Sequence, residues 1–506
     1  MEYCHTFNPR ENARLALNYL TRMVDPAEDY LPYWLVSIHL VPPFARHCRV
    51  DDAELVASWY EGITAIRRVF GFEEGEEVQA AFKRHLLKSW GEHGLRFHEK
   101  YPWTDSVHSS FHEMAYILGA LNRSMAEDDT HADEVRQRAH DLVEGMRSLV
   151  IERQTVTFWG GDDPRPRDTW EYEFPNDVYF KDRKWDKTCH TGRGEQSIRN
   201  GMMLHSLVDY YRLTQHETAL DLAGGIARHL MGTSRYFNYK GEFFGHVHSA
   251  VWVATGLAQL GQITNTEKYV KRARQIFDYV HSISSSFGWV PEYAQWHPDY
   301  EEHSETCCIK DMIQCALQLT RSGYEDCWDI AHRYARNQLV ANQIIDTSLL
   351  ADVVDNTRED VDGHTWKHLD ERVLGGFSGG AEPNSISLSR FRSVAGCCVG
   401  TAPQALAMIV ENAITQDGNA TWVNMPLDHE TDAVSVKTGY PESGTIDVTM
   451  KSGGDLYIRT APWMGQPSLT VNDADVPLMY VGHAVKAPGL SSGDAVRLSH
   501  PIADEV

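Results

Sequence analysis

The chain has no stretch of the roughly 18 consecutive apolar residues that a membrane-spanning helix needs. Its most apolar N-terminal stretch, residues 30–45, is interrupted by Pro32, Pro42 and Pro43. Residues 1–14 are polar and lack the basic-then-apolar layout of a secretory signal. We therefore expect a cytoplasmic protein that does not interact with a membrane.

Positive charge is scarce, because 47 Lys and Arg residues face 71 Asp and Glu residues and leave a formal net charge of −24. Such an acidic surface repels nucleic acid and anionic lipid, so neither is expected as a partner. The 506 residues with 42% hydrophobic content are nevertheless enough to bury a large core and to form two domains.

The nine cysteines are an odd number at irregular spacings, which is not a disulfide framework and fits a reducing cytoplasm. The sequence also has no Walker loop, no dinucleotide-binding glycine fingerprint and no convincing nucleophile elbow, so nothing in it indicates nucleotide chemistry. By contrast, aromatic residues are plentiful, with 14 Trp and 22 Tyr. Aromatic rings suit a core, and they equally suit a cleft in which sugar rings stack.

Helical periodicity dominates the first four fifths of the chain. It predicts twelve segments: 11–24, 53–69, 76–91, 108–124, 132–151, 194–214, 217–231, 248–262, 266–283, 306–321, 325–342 and 401–414. About twelve helices in antiparallel pairs are typical of a closed (α/α)6 toroid, whose ligand cleft lies at one end. A helical solenoid is the alternative, but no fixed repeat period supports it.

Two long loops, 152–193 and 284–304, are rich in Trp, Tyr, His, Asp and Glu, a composition that favours a functional role. The segment 350–395 interrupts the helical pattern with an acidic run and a glycine-rich stretch. Three interpretations stay open for it: it covers the cleft, it touches a neighbouring copy in a homo-oligomer, or it is surface decoration.

After residue 415 the period changes from helical to alternating. Six short strands are predicted at Thr421–Val423, Val434–Lys437, Thr445–Met450, Leu456–Thr460, Ser468–Val471 and Val496–Leu498. We therefore predict a barrel domain at 1–415 and a small antiparallel β-sandwich domain at 416–506. The fold class is mainly α, and the sandwich is expected to be structural, with carbohydrate binding as the other interpretation.

The most distinctive feature of the sequence is Glu305-Thr306-Cys307 followed about ninety residues later by Cys397-Cys398. Three thiolates and one carboxylate are a ligand set that zinc takes at a four-coordinate site. Both pairs are predicted at helix starts, where the helix dipole favours negative charge and lowers a thiol pKa. The competing interpretation is a group of buried, inert cysteines.

These residues, with the helices that follow them, resemble the cysteine-dependent β-L-arabinofuranosidases of glycoside hydrolase family 127. The resemblance extends from about residue 241 to the C-terminus and includes the segment Gly245-His246 and the later Leu456-Tyr457-Ile458-Arg459. It implies an (α/α)6 barrel with β-sandwich material after it. It also implies that Glu305, Cys307, Cys397 and Cys398 bind Zn²⁺ and that Cys397 is the nucleophile of a retaining glycosidase.

The resemblance further implies a glutamate that acts as general acid and base in the loop before Glu305. Glu292 is the best match, and Asp299, Glu301 and Glu302 compete with it. Three residues match substrate-binding positions of the family: His246, Glu195 and His332. At the positions of Glu195 and His332 the family carries a different residue type. Because Val399-Gly400-Thr401 also departs from the family pattern, a β-L-arabinofuranoside is only one of the possible substrates.

The leading hypothesis is therefore a zinc- and cysteine-dependent glycoside hydrolase acting on a small-molecule or oligosaccharide substrate at its non-reducing end. A polysaccharide lyase or sugar epimerase on the same toroid is a second hypothesis, because those reactions use Tyr, His or Glu and need no thiolate. A non-catalytic carbohydrate-binding protein with a structural zinc is the third.

Overall fold

The structure of the protein is a computed structural model. It describes residues 7–104, 107–157, 167–174, 178–181, 195–295, 303–383, 385–386 and 394–502. Within these ranges, no helix is long and apolar enough to cross a membrane.

The described part of the chain is mainly helical, as predicted. Its α-helices are α1 Pro9–Arg22, α2 Val56–Phe70, α3 Glu76–Leu86, α4 Phe111–Glu127, α5 Ala132–Leu149, α6 Met203–Thr214, α7 Glu217–Met231, α8 Val247–Ile263, α9 Glu267–Ser282, α10 Thr306–Thr320, α11 Cys327–Tyr334, α12 Leu369–Arg372 and α13 Gly396–Ala413. Three π-helical turns, Asp51–Leu55, Ser197–Gly201 and Ala335–Leu339, extend α2, α6 and α11.

Six of these helices form a closed inner ring in which each one contacts the next. In order around the ring they are α2, α4, α6, α8, α10 and α13, and α13 packs on α2 to close it. A second helix covers each member from outside: α3, α5, α7, α9, α11 and, for α13, the N-terminal helix α1. This arrangement is the predicted (α/α)6 barrel. We call the end formed by the inner-helix N-termini the front end and the opposite one the rear end.

How much of each helix is buried depends on whether it belongs to the inner ring or to the outer layer of helices. The outer helix α9 buries only the stripe containing Tyr269, Ala273, Ile276 and Val280, as its periodicity predicted. The inner helix α8 is buried almost all round and is correspondingly more apolar. Inner helices also approach closely: a Cβ on Gly62 would lie 2.4 Å from the carbonyl oxygen of Gly400, so α2 and α13 need glycine at this crossing.

Several predicted helix ends are wrong, and the last inner helix matters most. It begins at Gly396 rather than at 401, and Pro403 lies inside it. The hydrogen bond from the Gly396 N–H to the Trp34 carbonyl and the strand Val394–Ala395 fix the earlier start. Helix α3 ends at Leu86 instead of 91, whereas the helix predicted at 325–342 continues beyond Tyr334 as the π-turn Ala335–Leu339.

Short strands lie between the barrel helices in the order of the chain. They are Val24–Asp25, Leu31–Pro32, Leu35–Ser37, Phe44–Arg46, His108–Ser110, Ile151–Thr157, Arg167–Glu173, Val178–Phe180, Gly245–His246, Tyr293–Ala294, His364–Thr365, Ala381–Glu382, Ser385–Ile386 and Val394–Ala395. The segment 350–395 contributes to this layer. Phe377 is fully buried, and the Ser378 carbonyl accepts a hydrogen bond from the Thr306 hydroxyl at the start of α10. Residues 377–378 are thus built into the front end, whereas residues 356–362 are exposed, and the role of the segment stays a prediction.

The C-terminal region consists of two sheets. In spatial order, the five-stranded sheet contains Ile414–Asp417, Ala420–Val423, Gly454–Arg459, Ala484–Leu490 and Tyr480–Val481. The six-stranded sheet contains His429–Glu430, Val434–Thr438, Gly444–Met450, Ala495–His500, Ser468–Val471 and Ala474–Val476.

Alternate residues of these strands are buried, which is the pattern that a sandwich requires. The pairing is antiparallel except between Ala420–Val423 and Gly454–Arg459, which run parallel. Strand Ile414–Asp417 follows α13 without a break, so the division into domains at residue 415 stays a prediction.

Candidate metal centre and active site

The four residues predicted to bind a metal converge at the front end of the barrel. Glu305 is the N-cap residue of α10 and Cys307 lies in its first turn, while Cys397 and Cys398 lie in the first turn of the neighbouring helix α13. Each residue offers one ligand atom, and the four atoms all lie within 4.8 Å of one another. Because two adjacent helix N-termini meet here, their dipoles both stabilise negative charge at the same point.

The spacing of the four atoms fits a tetrahedral ion. The Cys307 and Cys398 sulfurs are 3.6 Å apart, and Glu305 Oε1 is 3.3 Å from the Cys397 sulfur and 3.8 Å from the Cys398 sulfur. With Zn–S bonds of about 2.3 Å and Zn–O bonds of about 2.0 Å, tetrahedral angles require about 3.75 Å between sulfurs and about 3.5 Å between sulfur and oxygen. The residues present therefore fit zinc.

The protons of the cluster are unevenly distributed among its thiols. Burial raises the pKa of Cys307 well above its ordinary value, and the two neighbouring thiols add to this effect. Burial also raises the pKa of Cys398, but hydrogen bonds from Cys307 and Cys397 prevail and lower it to about 6. In addition, the Thr401 hydroxyl donates to the Cys307 sulfur at 3.4 Å.

His246 connects this cluster to the next inner helix. It precedes α8, and its Nε2 lies 3.2 Å from Glu305 Oε2. Burial opposes its protonation, but the hydrogen bond to Glu305 and the surrounding carboxylates raise its pKa overall. Glu195 accepts from the His246 backbone N–H at 2.9 Å and from the Tyr236 hydroxyl at 2.9 Å, so it holds the start of α8 in place.

The close approach of Glu195 requires glycine at position 245. A Cβ there would lie 2.2 Å from the Glu195 carboxylate, and the Gly245 φ of +129° is one that other residues rarely adopt. The structure therefore places Glu195 one layer behind His246. Substrate binding by His246 and Glu195 stays a prediction.

Glu292 lies beside the cluster. The strand Gly245–His246 pairs with Tyr293–Ala294, which brings the residue before Tyr293 next to His246. The ligand atoms of His246, Glu292 and Glu305 lie within 4.8 Å of one another. Glu292 is buried, with 6% of its surface exposed, and its backbone N–H donates to the His303 carbonyl at 2.8 Å. The residue predicted as general acid and base is thus adjacent to a predicted metal ligand.

Two further polar groups of the front end were missed by the sequence analysis. Glu54, in the π-turn before α2, lies 3.0 Å from Nε2 of His112, which is in the first turn of α4. Both residues lie, like Glu305 and His246, at the N-terminal end of an inner helix. This shared position is the signal that would have indicated them, because every inner helix of the toroid begins at the same end.

A buried hydrogen-bond chain lies beneath the cluster. The Tyr116 hydroxyl and Nε2 of His248 are 2.8 Å apart, and Nδ1 of His248 bonds Asp311. Burial raises the pKa of Tyr116 well above its ordinary value, and the negative charges of Glu54, Cys307 and Cys397 act in the same direction. His248 thus connects α8 to α4 and α10.

His332 lies elsewhere. It is buried on α11, and its Nε2 accepts from Nε of Arg336 at 3.2 Å. Together with Trp328, Arg459 and Trp463 it lines a cavity of about 250 Å³ between the barrel and the C-terminal sheets. Among the described residues, His332 has no contact with the predicted metal ligands. Its role in substrate binding stays a prediction.

Some predicted residues lie outside the described residues. They are His190, whose loop was a candidate for the cleft, and the three competitors of Glu292: Asp299, Glu301 and Glu302. Cys308, Cys315 and Cys327 are buried and are not among the four residues of the cluster.

No family model matches the sequence, and no curated protein matches it. Several solved structures are similar to it. A GH127 β-L-arabinofuranosidase from Geobacillus stearothermophilus T6 is 14% identical with a TM-score of 0.56, over 98% of this chain and 76% of that one. A second GH127 β-arabinofuranosidase is 15% identical with a TM-score of 0.60, over 97% of this chain and 74% of that one.

A D-mannose isomerase is also similar, at 12% identity and a TM-score of 0.50, over 81% of this chain and 100% of that one. At such identities the likeness concerns the fold alone. The greater coverage of the GH127 structures reflects the C-terminal sheets in addition to the barrel. The chain therefore has a diverged form of the GH127 fold.

Proposed function

We propose that the protein is a sugar-processing enzyme, and more specifically a retaining glycoside hydrolase with Cys397 as nucleophile and Glu292 as general acid and base. One observation carries the assignment of the nucleophile. Cys397 retains 6% of its surface exposed, whereas Cys307 and Cys398 are fully buried. Among the thiols of the cluster, Cys397 is thus the one that a substrate can reach.

In the first step, the Cys397 sulfur attacks the anomeric carbon and forms a C–S bond. The glycosidic C–O bond breaks at the same time, and the Glu292 carboxyl transfers its proton to the leaving oxygen. In the second step, the Glu292 carboxylate accepts a proton from water, the water oxygen attacks the anomeric carbon, and the C–S bond breaks. Two inversions give overall retention of configuration.

Glu305, Cys307, Cys397 and Cys398 would hold a zinc ion. When bound, zinc supplies positive charge that keeps the thiols ionised at neutral pH and makes sulfur a better leaving group. The chain supports this arrangement with the Thr401 hydroxyl on Cys307 and with His246 on Glu305. Both contacts orient ligands of the cluster.

The sugar is expected at the centre of the front end, where His246, Glu54 and His112 provide hydrogen-bonding groups around Cys397. The similar GH127 structures suggest a furanoside such as a β-L-arabinofuranoside as the first substrate to test. The Glu54–His112 pair and the loops at the front end then decide which sugar is accepted.

A screen of nitrophenyl furanosides and pyranosides, combined with metal analysis, tests the proposal. We expect about one zinc per chain, hydrolysis of at least one glycoside, and a glycosyl adduct on the peptide containing Cys397 in mass spectrometry. Removal of zinc by a chelator should abolish hydrolysis and lower the melting temperature, because the ion binds only the folded site. Zinc without hydrolysis of any glycoside would instead favour a binding protein.

A sugar epimerase or isomerase is the second candidate, and the chain Tyr116–His248–Asp311 favours it. Such groups can move a proton to and from a sugar carbon, and this chemistry needs no thiolate. The test is incubation with free aldoses in D₂O. Deuterium at a sugar carbon, with activity unchanged in Cys397→Ala, would replace the hydrolase proposal.

A further inference from the structure

The rear end of the barrel contains a cavity that the proposed hydrolysis does not use. This rear cavity has a volume of about 350 Å³ and is lined by all six inner helices. Tyr116 and Thr401 line its inner wall, and both also contact residues of the front end. Its amide side chains bond protein groups, as Gln259 and Gln314 bond the two ring nitrogens of His205. The polar groups inside this end of the barrel are thus largely satisfied by one another.

A group of metal-binding residue types lies on the outside of the barrel, beside the same end. His140 and Glu144 are one turn apart on the outer helix α5, and His216 is the N-cap residue of the outer helix α7. Side chains at i and i+4 are neighbours on a helix surface, so His140 and Glu144 share a face of α5. The turn between α6 and α7 brings His216 to this face. The ligand atoms of the three residues all lie within 4.8 Å of one another.

The contacts within this group are close and its rings are held in place. Nε2 of His216 lies 2.7 Å from Oε1 of Glu144, and the ring centroids of His140 and His216 are 4.9 Å apart. The two ring planes are inclined by 42°, so the imidazoles are not stacked on each other. The buried Tyr210 packs edge-on against the His216 ring at 5.9 Å and restricts its movement. Two imidazoles and one carboxylate are a donor set of known metal sites.

The negative charge of this group has no lysine or arginine to balance it. Among the described residues, no such side chain is paired with Glu144. The nearby Arg138 is instead engaged by Glu134 at 3.6 Å. Asp141, whose Oδ1 lies 3.6 Å from Nδ1 of His140, adds a second negative charge. In a chain with a formal net charge of −24, such a place attracts cations.

From the donor set, the short spacing and the unbalanced carboxylates, we infer that His140, Glu144 and His216 form a second metal site on the outside of the barrel. Imidazole nitrogen with one carboxylate favours a divalent transition-metal ion such as Zn²⁺ or Ni²⁺, whereas Mg²⁺ and Ca²⁺ take oxygen ligands. The side chains are between 25% (His216) and 48% (His140) exposed, so water can complete the coordination. The ion would tie α5 to the turn before α7. This role goes beyond the proposed hydrolysis.

Calorimetric titration with Ni²⁺ tests the site. The untagged protein is first loaded with zinc and desalted, so that the four-ligand cluster of the front end already holds its ion. We expect one further Ni²⁺ per chain and a melting temperature that rises with the Ni²⁺ concentration. His140→Ala places a good helix former at an exposed position, so the fold should be retained. Because loss of a mere supporting partner of a ligand costs about 10–100-fold in metal affinity, loss of this ligand should cost at least about tenfold.

A second variant and a control complete the test. Glu144→Gln preserves the shape of the side chain but removes its charge, and it should weaken Ni²⁺ binding to a similar extent. His483→Ala, a change at an exposed histidine outside the group, should bind Ni²⁺ like the wild type. In all three variants the zinc content of the front end should stay unchanged.

The inference would be overturned if the zinc-loaded wild type bound no Ni²⁺, or if His140→Ala and Glu144→Gln bound it as tightly as the wild type. Binding of Ca²⁺ or Mg²⁺ with equal affinity would likewise contradict the assigned class of metal. Hydrolysis of nitrophenyl glycosides is measured separately, so a failure of the catalytic proposal would be recognised independently.

Discussion

The two ends of the barrel are built from the same six helices but carry opposite chemistry. The front end collects acidic ligand groups, with Glu305 and three cysteines at the starts of α10 and α13. The rear end collects arginines near helix C-termini, such as Arg212 in the last turn of α6 and Arg321 just after α10. The helix dipole favours anions at N-termini and cations at C-termini, so the two ends are suited to different ligands.

The difference explains why the metal cluster and the rear cavity can coexist less than one helix length apart. At the front end Glu305 is paired with His246, and a bound cation would add charge that ionises the thiols, whereas charge at the rear end is neutralised within the protein by pairs such as Arg212–Asp209. The partition between them is thin, because Tyr116 and Thr401 belong to both. The comparison is tested by changing each end and the partition separately.

The largest effect is expected from Cys397→Ala, which removes the nucleophile at the front end. We predict a loss of kcat/KM of at least about 10³-fold on the best glycoside, with the fold retained, because no other exposed thiol of the cluster can replace it. Steady-state kinetics and circular dichroism measure both. Cys315→Ala, a buried cysteine in the middle of α10, is the matched control and should affect stability more than activity.

Glu292→Gln comes next. Loss of a general acid and base should lower kcat by roughly 10²–10⁴-fold, and least for glycosides whose leaving group needs no proton. A series of aryl glycosides with leaving groups of different pKa measures this dependence, and added azide should restore turnover. An equal loss for every leaving group would show that Glu292 positions the site and does not transfer the proton.

Thr401→Val changes the wall between the cysteine cluster at the front end and the cavity at the rear end. It removes the hydroxyl that donates to the Cys307 sulfur but preserves the shape of the side chain. Loss of such a supporting contact should weaken zinc binding by about 10–100-fold, which competition with a chromophoric chelator measures. Thr255→Val, a change at a buried threonine of α8 whose hydroxyl donates to the Val251 carbonyl, is the control. Equal zinc affinity in both variants would mean that the hydroxyl does not support the ligand.

The smallest effect is expected on the pH dependence of the free energy of unfolding. Two buried histidines hold the π-turn before α2: His47 bonds Asp25 and Asp51, and His98 bonds Asp52 and Glu113. Burial opposes their protonation, but these carboxylates raise the pKa of both His47 and His98 to about 9, from 6.5 when unfolded.

Because the folded pKa is higher, the stabilisation by His47 and His98 is complete below pH 6.5 and is lost as the pH rises through about 9. We expect the free energy of unfolding to fall by on the order of 1–3 kcal/mol across this interval, as urea titrations at several pH values would measure. His98→Gln should flatten part of the decline. A stability that does not change between pH 6.5 and 9 would contradict the assignment of charged histidines to the front end.

Much of the barrel was predictable from periodicity. The helix α9 and the outer helix α7, predicted at 266–283 and 217–231, differ from the structure by at most one residue. The start of α13 was not predictable in this way, because Pro403 resembles a helix start while a hydrogen bond to the distant Trp34 sets the true one. Long-range contacts of this kind leave no periodic signal in the sequence.

By itself, the sequence determined which side chains are candidate metal ligands at the front end: only Glu305, Cys307 and Cys397-Cys398 combine a carboxylate with closely spaced thiols at helix starts. Only the tertiary structure decided which other groups surround them. Glu54, His112 and Tyr116 belong to helices separated from the cluster by about two hundred residues, and the closed ring brings them together. The rear cavity likewise has no motif, because residues from six helices that are far apart in the chain line it. Motifs record chemistry that is local in the chain, whereas a cavity is a property of packing.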